Sequence, residues 1–245
     1  MKAIRNRFTV ALGVALLLQA FAPLISGALL FNPLVEENDI GKTMLNITQN
    51  QFTANLSAFL DIVTAMGIIW LAVLLFHLLK KVNRVWAAIG MFFYFLEANM
   101  LVVSKIAAFA LITLSRIYSI HFDKSLEPAG QILLQVKDFS YSMAMLPFGI
   151  GAILLYYLLA KSKAIPTWLS IYGLVTTLPV MVGSVLSSYG VDVPFAIYAP
   201  YIPFEFFVGF FVLIRGLVEN SLGEPLSHSQ QGGLEKAKNN IYQVS

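Results

Sequence analysis

Six long apolar segments decide what this chain can fold into. Each has about twenty residues or more, the length at which an α-helix rising 1.5 Å per residue crosses roughly 30 Å of hydrocarbon. The sequence therefore predicts an all-α fold, a six-helix transmembrane bundle over residues 1–218, followed by a flexible polar tail at 219–245. The predicted helices occupy about residues 8–31, 56–79, 85–115, 139–160, 166–189 and 194–214.

The composition supports a membrane protein and excludes several other classes. Hydrophobic residues make up 58% of the 245-residue chain and charged residues 12%, whereas an ordinary soluble domain has roughly 25% charged residues. So few charges could not cover a soluble fold of this size. This excludes a typical cytosolic enzyme, a coiled coil, a disordered regulator and a protein with a basic face for nucleic acid. Because cysteine is absent, disulfides and cysteine nucleophiles are excluded too.

Basic residues cluster on one side of the predicted crossings. Since Lys and Arg in short loops stay in the cytoplasm, this bias predicts that both termini are cytoplasmic and that the chain is a multi-pass protein of the cell membrane. The basic residues on that side are Lys2, Arg5, Arg7, Lys80, Lys81, Arg84, Lys161, Lys163 and Arg215. A cleaved signal peptide is the alternative for the first segment, but the apolar run continues past Pro23 to Phe31 and favours a retained helix.

The longest predicted connection, residues 32–55, contains a weaker helical pattern. Met44, Ile47, Gln51 and Phe52 are partly spaced as on one face of a helix. We expect a short helix here that lies at the membrane interface.

Four ionisable residues fall inside the predicted helices, namely Asp61, Glu97, Lys105 and Glu205. Such residues are costly at membrane depth and usually face protein or water, so each is a candidate for function. All four belong to the middle or outer half of the membrane, which predicts a polar site there. Lys105 and Glu97 are about 80° apart around their helix at about 100° per residue. Lys105 is therefore expected to meet Asp61 or Glu205 on another helix.

Each of these residues also has a structural explanation. Lys105 can extend its long side chain to the outer headgroups, and Asp61 and Glu205 can be solvated if they lie near the interface. Glu97 lies near the middle of the membrane, where a carboxyl has to be paired, hydrated or protonated. A strut between helices explains Glu97 as well as a ligand, ion or proton role does.

Signatures of known catalytic and cofactor sites are absent from the sequence. There is no zinc-protease motif, serine nucleophile elbow, phosphate loop or dinucleotide fingerprint. The three histidines, His77, His121 and His228, fall at the inner interface, in an outer loop and in the tail, so they cannot form a haem-binding pair. We therefore predict no cofactor and no metal, and no nucleic-acid partner. A non-enzymatic role is favoured.

Several short motifs in order give the chain a family resemblance. They are Leu79-Lys80-Lys81-Val82-Asn83-Arg84, Leu96-Glu97-Ala98, Ile165-Pro166-Thr167-Trp168-Leu169, and Glu205 followed by Leu213-Ile214-Arg215-Gly216. Over about residues 55–216 the sequence resembles the bacterial and archaeal membrane proteins grouped as domain of unknown function 4386. The resemblance implies a six-helix integral membrane protein and no established activity. The family often has an arginine three residues before the glutamate that corresponds to Glu97, where this chain has Tyr94. It often has a glycine directly before the glutamate that corresponds to Glu205, where this chain has Phe204.

Three functional hypotheses follow. The first is a protein that binds or transports a small molecule, lipid or ion through a polar site formed by Glu97, Lys105, Asp61 and Glu205, in contact with membrane lipid. The second is a non-catalytic accessory subunit whose buried charges serve helix packing or a protein partner. The third is an acid–base membrane enzyme that uses Glu97.

Overall fold

The computed structural model describes residues 3–4 and 6–218, so the predicted tail at 219–245 lies outside the described residues. The fold is all-α, as predicted, and six of its helical segments are long and apolar enough to cross a membrane. The helices are α1 (Arg7–Pro23), continued by a π-helix (Leu24–Phe31), then α2 (Ile40–Gln49), α3 (Gln51–Leu79), α4 (Arg84–His121), α5 (Glu127–Ser162), α6 (Thr167–Ser188) and α7 (Tyr201–Arg215).

The long helices form a ring in which each packs against its neighbours. The order is α1, α3, α4, α5, α6 and α7, and α7 closes the ring by packing extensively against α1. Two short strands, β1 (Ala3–Ile4) and β2 (Leu217–Val218), pair antiparallel. This pairing brings the two ends of the described chain to the same end of the bundle, while α2 lies at the other end. Which end faces the cytoplasm stays a prediction.

Three helices extend further than the sequence predicted. Helix α3 begins at Gln51, α4 continues to His121 and α5 begins at Glu127, so the predicted loop at about 116–138 is reduced to residues 122–126. Hydrophobicity marks the membrane crossing but not the end of a helix, because polar residues can continue the same backbone hydrogen bonds. As a result Lys137 lies on α5 and not in a loop.

Helix α2 is the predicted helix in the longest connection. Its buried residues include Met44 and Ile47, and the helix packs chiefly against α4 and also against α5. A Cβ added to Gly130 of α5 would come 2.7 Å from the sulfur of Met44, which shows how closely the two helices approach. The apolar face of α2 is therefore covered by protein, whereas the side chain of Phe52 is exposed.

The first membrane segment changes helix type at a proline. Pro23 has no N–H to donate, and the chain continues from Leu24 to Phe31 as a π-helix. Within that stretch the carbonyl oxygen of Ser26 accepts a 2.8 Å hydrogen bond from the Ser57 hydroxyl on α3. The altered winding thus ties the π-helix to α3 through a polar contact.

The interior contains two apolar clusters. The larger extends through the six long helices and includes Leu71, Leu101 and Leu155. The smaller lies toward α2 and includes Ile47 and Leu111. Along α4, the last buried apolar residue of the larger cluster is Leu101 and the first of the smaller is Leu111, with Lys105 between them. A layer of polar residues therefore separates the two clusters.

Candidate functional site

An ion pair between α3 and α4 forms the centre of this polar layer. Lys105 Nζ lies 2.7 Å from Asp61 Oδ2, and the two residues are only 9% and 6% exposed. The Ser26 hydroxyl from the π-helix donates a hydrogen bond to the other carboxylate oxygen, Oδ1. Both oxygens of Asp61 are thus engaged, and three helical segments meet at one carboxylate.

Helix α5 contributes a second pair of charges to the layer. Lys137 Nζ lies 2.7 Å from Asp138 Oδ1 and 4.4 Å from the ring centroid of Phe31. The Lys137 carbonyl oxygen accepts a 2.8 Å hydrogen bond from Ser104 on α4. Lys105 Nζ also lies 5.5 Å from the ring centroid of Tyr141, one helical turn beyond Lys137. These contacts fix α5 against α4 beside the first ion pair.

A partly open cavity of about 530 Å³ is lined by this layer. Its charged wall includes Asp61 and Lys105 of the first ion pair and Lys137 and Asp138 of the second. Its apolar wall comes from the first membrane segment and from the chain at and before α7, and includes Pro23, Leu24, Phe31, Phe195, Ile202 and Phe206. The cavity thus offers a polar side and an apolar side to an occupant.

Glu205 on α7 connects this cavity to a deeper void. The same side chain lines the large cavity and a second space of about 20 Å³. The polar residues that line the smaller space with it are Gln19, Tyr94 and Tyr156. A space of roughly 10–15 Å³ is enough for one water molecule, so the void can hydrate the inner side of Glu205.

Glu97 lies deeper and lines neither space. It is 2% exposed, and its Oε2 atom makes no hydrogen bond to any residue that the structure describes. The charged group that acts on it is the like-charged Glu205. Tyr94, one turn before Glu97, also interacts electrostatically with both carboxyl groups and stacks on Phe148 with 6.2 Å between ring centroids.

The four residues predicted from the sequence therefore fall into different surroundings. Lys105 meets Asp61, one of the two partners that its position on the helix allowed, and Glu205 lines the same cavity. Glu97 is separated from Lys105, as the spacing along α4 required. Whether these residues serve a function stays a prediction.

The sequence analysis missed four contributors to the polar layer. Ser26 and Tyr141 carry no charge and lie within predicted membrane helices, where only Pro23 before Ser26 marked the position. Lys137 and Asp138 fell in a predicted loop, because the start of α5 was predicted at 139 and lies at Glu127. A proline followed by a serine inside an apolar segment was the available signal for Ser26.

A family model matches residues 11–216, most of the chain, and is described as a domain of unknown function, DUF4386. The chain belongs to the DUF4386 family. This confirms the resemblance seen in the sequence and identifies a multi-pass membrane protein of a family without an assigned activity. Comparisons with curated proteins and with solved structures found no match to this DUF4386 protein.

The described part of this DUF4386 protein contains no cluster of side chains suited to a metal ion. No three His, Asp or Glu side chains converge there in a way that could hold a metal ion. The chemistry that the layer offers is ion pairing, hydrogen bonding and proton exchange at carboxyl groups, next to an apolar wall.

Proposed function

We propose that this DUF4386 protein binds a small molecule with a polar group and an apolar body in the cavity of the polar layer, and that it does so in the cell membrane. The observation that supports this most directly is the cavity itself. Its volume of about 530 Å³ falls within the roughly 300–1,000 Å³ typical of small-molecule sites. One wall is charged and the other is apolar, which suits an amphiphilic occupant.

The energetics of the charged wall support the same proposal. A buried ion pair is often no more stabilising than apolar residues of similar volume. The chain nevertheless places the buried pair of Lys105 and Asp61 beside an open space, next to the partly exposed pair of Lys137 and Asp138. Charges retained next to a cavity are what ligand recognition needs, whereas packing alone would favour a filled interior.

A structural role is the second candidate, favoured by one specific observation. Both carboxylate oxygens of Asp61 are satisfied, by Lys105 and by Ser26, as expected for a strut that fixes three helical segments. This is the accessory-subunit hypothesis. The enzyme hypothesis gains no support from the geometry, because Glu97 lines neither the cavity nor the void.

Binding can be tested with three probes that share a phenylethyl skeleton and differ in charge: 2-phenylethylammonium, 2-phenylethanol and phenylacetate. Each is titrated into purified protein in lipid nanodiscs by calorimetry. A blocking variant is available because Gly27 lines the cavity and a Cβ there meets nothing within 4 Å. Gly27→Phe should place an aromatic ring in the cavity, since its Cβ meets no neighbouring atom. Leu29→Phe is its control, since Leu29 lies in the same π-helix and is exposed.

We expect saturable binding of at least one probe to the wild-type protein and to Leu29→Phe, and a loss of at least tenfold in affinity in Gly27→Phe. Binding that is unchanged in Gly27→Phe would place the site elsewhere. No binding of any of the three probes would contradict the proposal and favour the structural role.

A further inference from the structure

The charges around the cavity are not all paired. Lys105 pairs with Asp61 and Lys137 pairs with Asp138, each at 2.7 Å. Among the described residues that line the cavity, Glu205 is the one charged side chain outside an ion pair. The carboxyl group of Glu205 is therefore the one charged group of the cavity lining, among the described residues, that has no ion-pair partner.

The groups around Glu205 supply no unpaired positive charge, because Lys105 and Lys137 on the cavity wall are each held by an aspartate. From α7 it is approached by the neutral hydroxyl of Tyr201, a residue that is 6% exposed and interacts with the Glu205 carboxyl. Helix α4 contributes Tyr94 and Glu97, and α5 contributes Tyr156 and Tyr141. Helix α1 contributes the neutral Gln19, and the α3 residue on the cavity wall, Asp61, is already paired.

Two carboxyl groups in these surroundings cannot both be ionised cheaply. Glu97 and Glu205 interact with each other in a low-dielectric interior, where an uncompensated charge is costly and like charges repel. The Oε2 atom of Glu97 has no hydrogen-bond partner within the described chain, so the protein alone does not satisfy every polar atom of this cluster. A proton or a cation at Glu205 would remove this cost.

The shape of the cavity favours an organic cation over a metal ion. A bare ion needs a compact shell of oxygen ligands, whereas this space of about 530 Å³ is flanked by the aromatic side chains of Phe195 and Phe206. Aromatic faces attract organic cations and also pack against their apolar parts. The carboxyl of Glu205 accepts N–H bonds from an ammonium group, and such charge-assisted hydrogen bonds are strong.

We propose that the cavity selects small organic cations, protonated primary amines with an apolar body, and that the ammonium group exchanges with a proton held by Glu205. The inference rests on the proposed function. In the exchange, the O–H bond of Glu205 breaks, its proton passes to water in the cavity, and the ammonium donates hydrogen bonds to the carboxylate left behind. One positive charge replaces another.

The test uses the same three probes in nanodiscs, between pH 6 and pH 8. We expect 2-phenylethylammonium to bind at least tenfold more tightly than 2-phenylethanol at pH 8, and phenylacetate to bind weakest. Because one proton competes with one cation, the affinity for 2-phenylethylammonium should rise by up to tenfold per pH unit. In weak buffer at pH 6, binding should release up to one proton per cation, which a pH-sensitive dye reports.

Variants separate the charge of Glu205 from its shape. Glu205→Gln should bind 2-phenylethylammonium and 2-phenylethanol equally, without pH dependence and without proton release. Asp123→Asn, an exposed acid between α4 and α5, is the matched control and should behave as the wild-type protein. The pH series and the proton count need only the wild-type protein, so they remain decisive if Glu205→Gln fails to fold.

The outcomes distinguish this inference from the proposed function. If phenylacetate or 2-phenylethanol binds best and Gly27→Phe blocks it, the cavity binds ligands but the cation assignment is wrong. If the ammonium binds best without pH dependence and without proton release, the exchange is wrong. If none of the probes binds, the proposed function fails first.

Discussion

Asp61 on α3 and Lys105 on α4 form a 2.7 Å ion pair within a polar layer that separates two apolar clusters. Ser26, from the π-helix that follows Pro23, holds the second oxygen of the same carboxylate. One buried carboxylate therefore joins the first, second and third membrane-crossing helices. The cavity opens directly beside this junction, so its charged wall is held in place by the helix packing itself.

Removing one partner of this pair should destabilise the protein strongly. Lys105→Met leaves Asp61 without its counter-charge in the interior, and breaking such a buried pair costs about 3–5 kcal/mol. We expect the double variant Lys105→Met/Asp61→Asn to recover most of that loss, because the uncompensated charge is then gone. Thermal and denaturant unfolding in detergent would measure the coupling.

The second ion pair offers a matched control. Lys137→Met should cost no more than about 1 kcal/mol, because its partner Asp138 has a side chain that is 60% exposed and can be solvated. Equal losses for Lys105→Met and Lys137→Met would show that burial of the first pair is unimportant.

Glu97→Gln should leave the stability unchanged or raise it. One oxygen of Glu97 has no hydrogen-bond partner within the described chain, and the neighbouring charge is the like-charged Glu205. A neutral amide removes that repulsion, and gains of about 0.5–2 kcal/mol are common when an unfavourable group is replaced at a functional site. Unfolding in detergent measures the change, and a marked loss of stability would identify Glu97 as a structural strut.

Two glycines in the first membrane segment should respond oppositely to the same substitution. A Cβ at Gly13 would lie 2.9 Å from the backbone of Leu213 on α7, whereas a Cβ at Gly27 meets nothing within 4 Å. Gly13→Ala should therefore destabilise the protein by about 1–3 kcal/mol through overpacking. Gly27→Ala should be neutral or slightly stabilising, because alanine favours helix. Equal effects would contradict the close packing of α1 on α7.

The orientation predicted from the basic residues can be tested with single cysteines, since the natural chain has none. Ser125→Cys lies between α4 and α5, and Val82→Cys lies between α3 and α4, at opposite ends of the bundle. In intact cells, a membrane-impermeant maleimide should label Ser125→Cys and spare Val82→Cys until the membrane is permeabilised. The reverse pattern would place both termini outside the cytoplasm.

Much of the fold could be predicted from the sequence, because the hydrophobic effect acts on each segment separately. A run of apolar residues as long as 56–79 has one stable form in a bilayer, a helix that satisfies its own backbone. The end of a helix is a weaker signal, since polar residues extend it into water at no large cost. For that reason α5 begins at Glu127, well before the predicted 139.

The candidate site could be predicted only in part from the sequence, because the pairing of charged residues depends on which helix faces pack against each other. Helical spacing showed that Lys105 could not reach Glu97, but it left both Asp61 and Glu205 as partners. Because α3 packs against α4, the partner of Lys105 is Asp61. Glu205 instead lines both the large cavity and the small void. This position follows from the packing of α7 against α1.

The sequence by itself determined that this is a membrane protein with six apolar helices long enough to cross a membrane, and it placed Asp61, Glu97, Lys105 and Glu205 within them. Both conclusions depend on local composition, which sets the transfer free energy of each segment. Only the tertiary structure decided which charges pair, which stay unmatched and where space remains beside them. These properties depend on contacts between helices distant in sequence, and in the π-helix of Leu24–Phe31 they depend on a local change in winding that places Ser26 against Asp61.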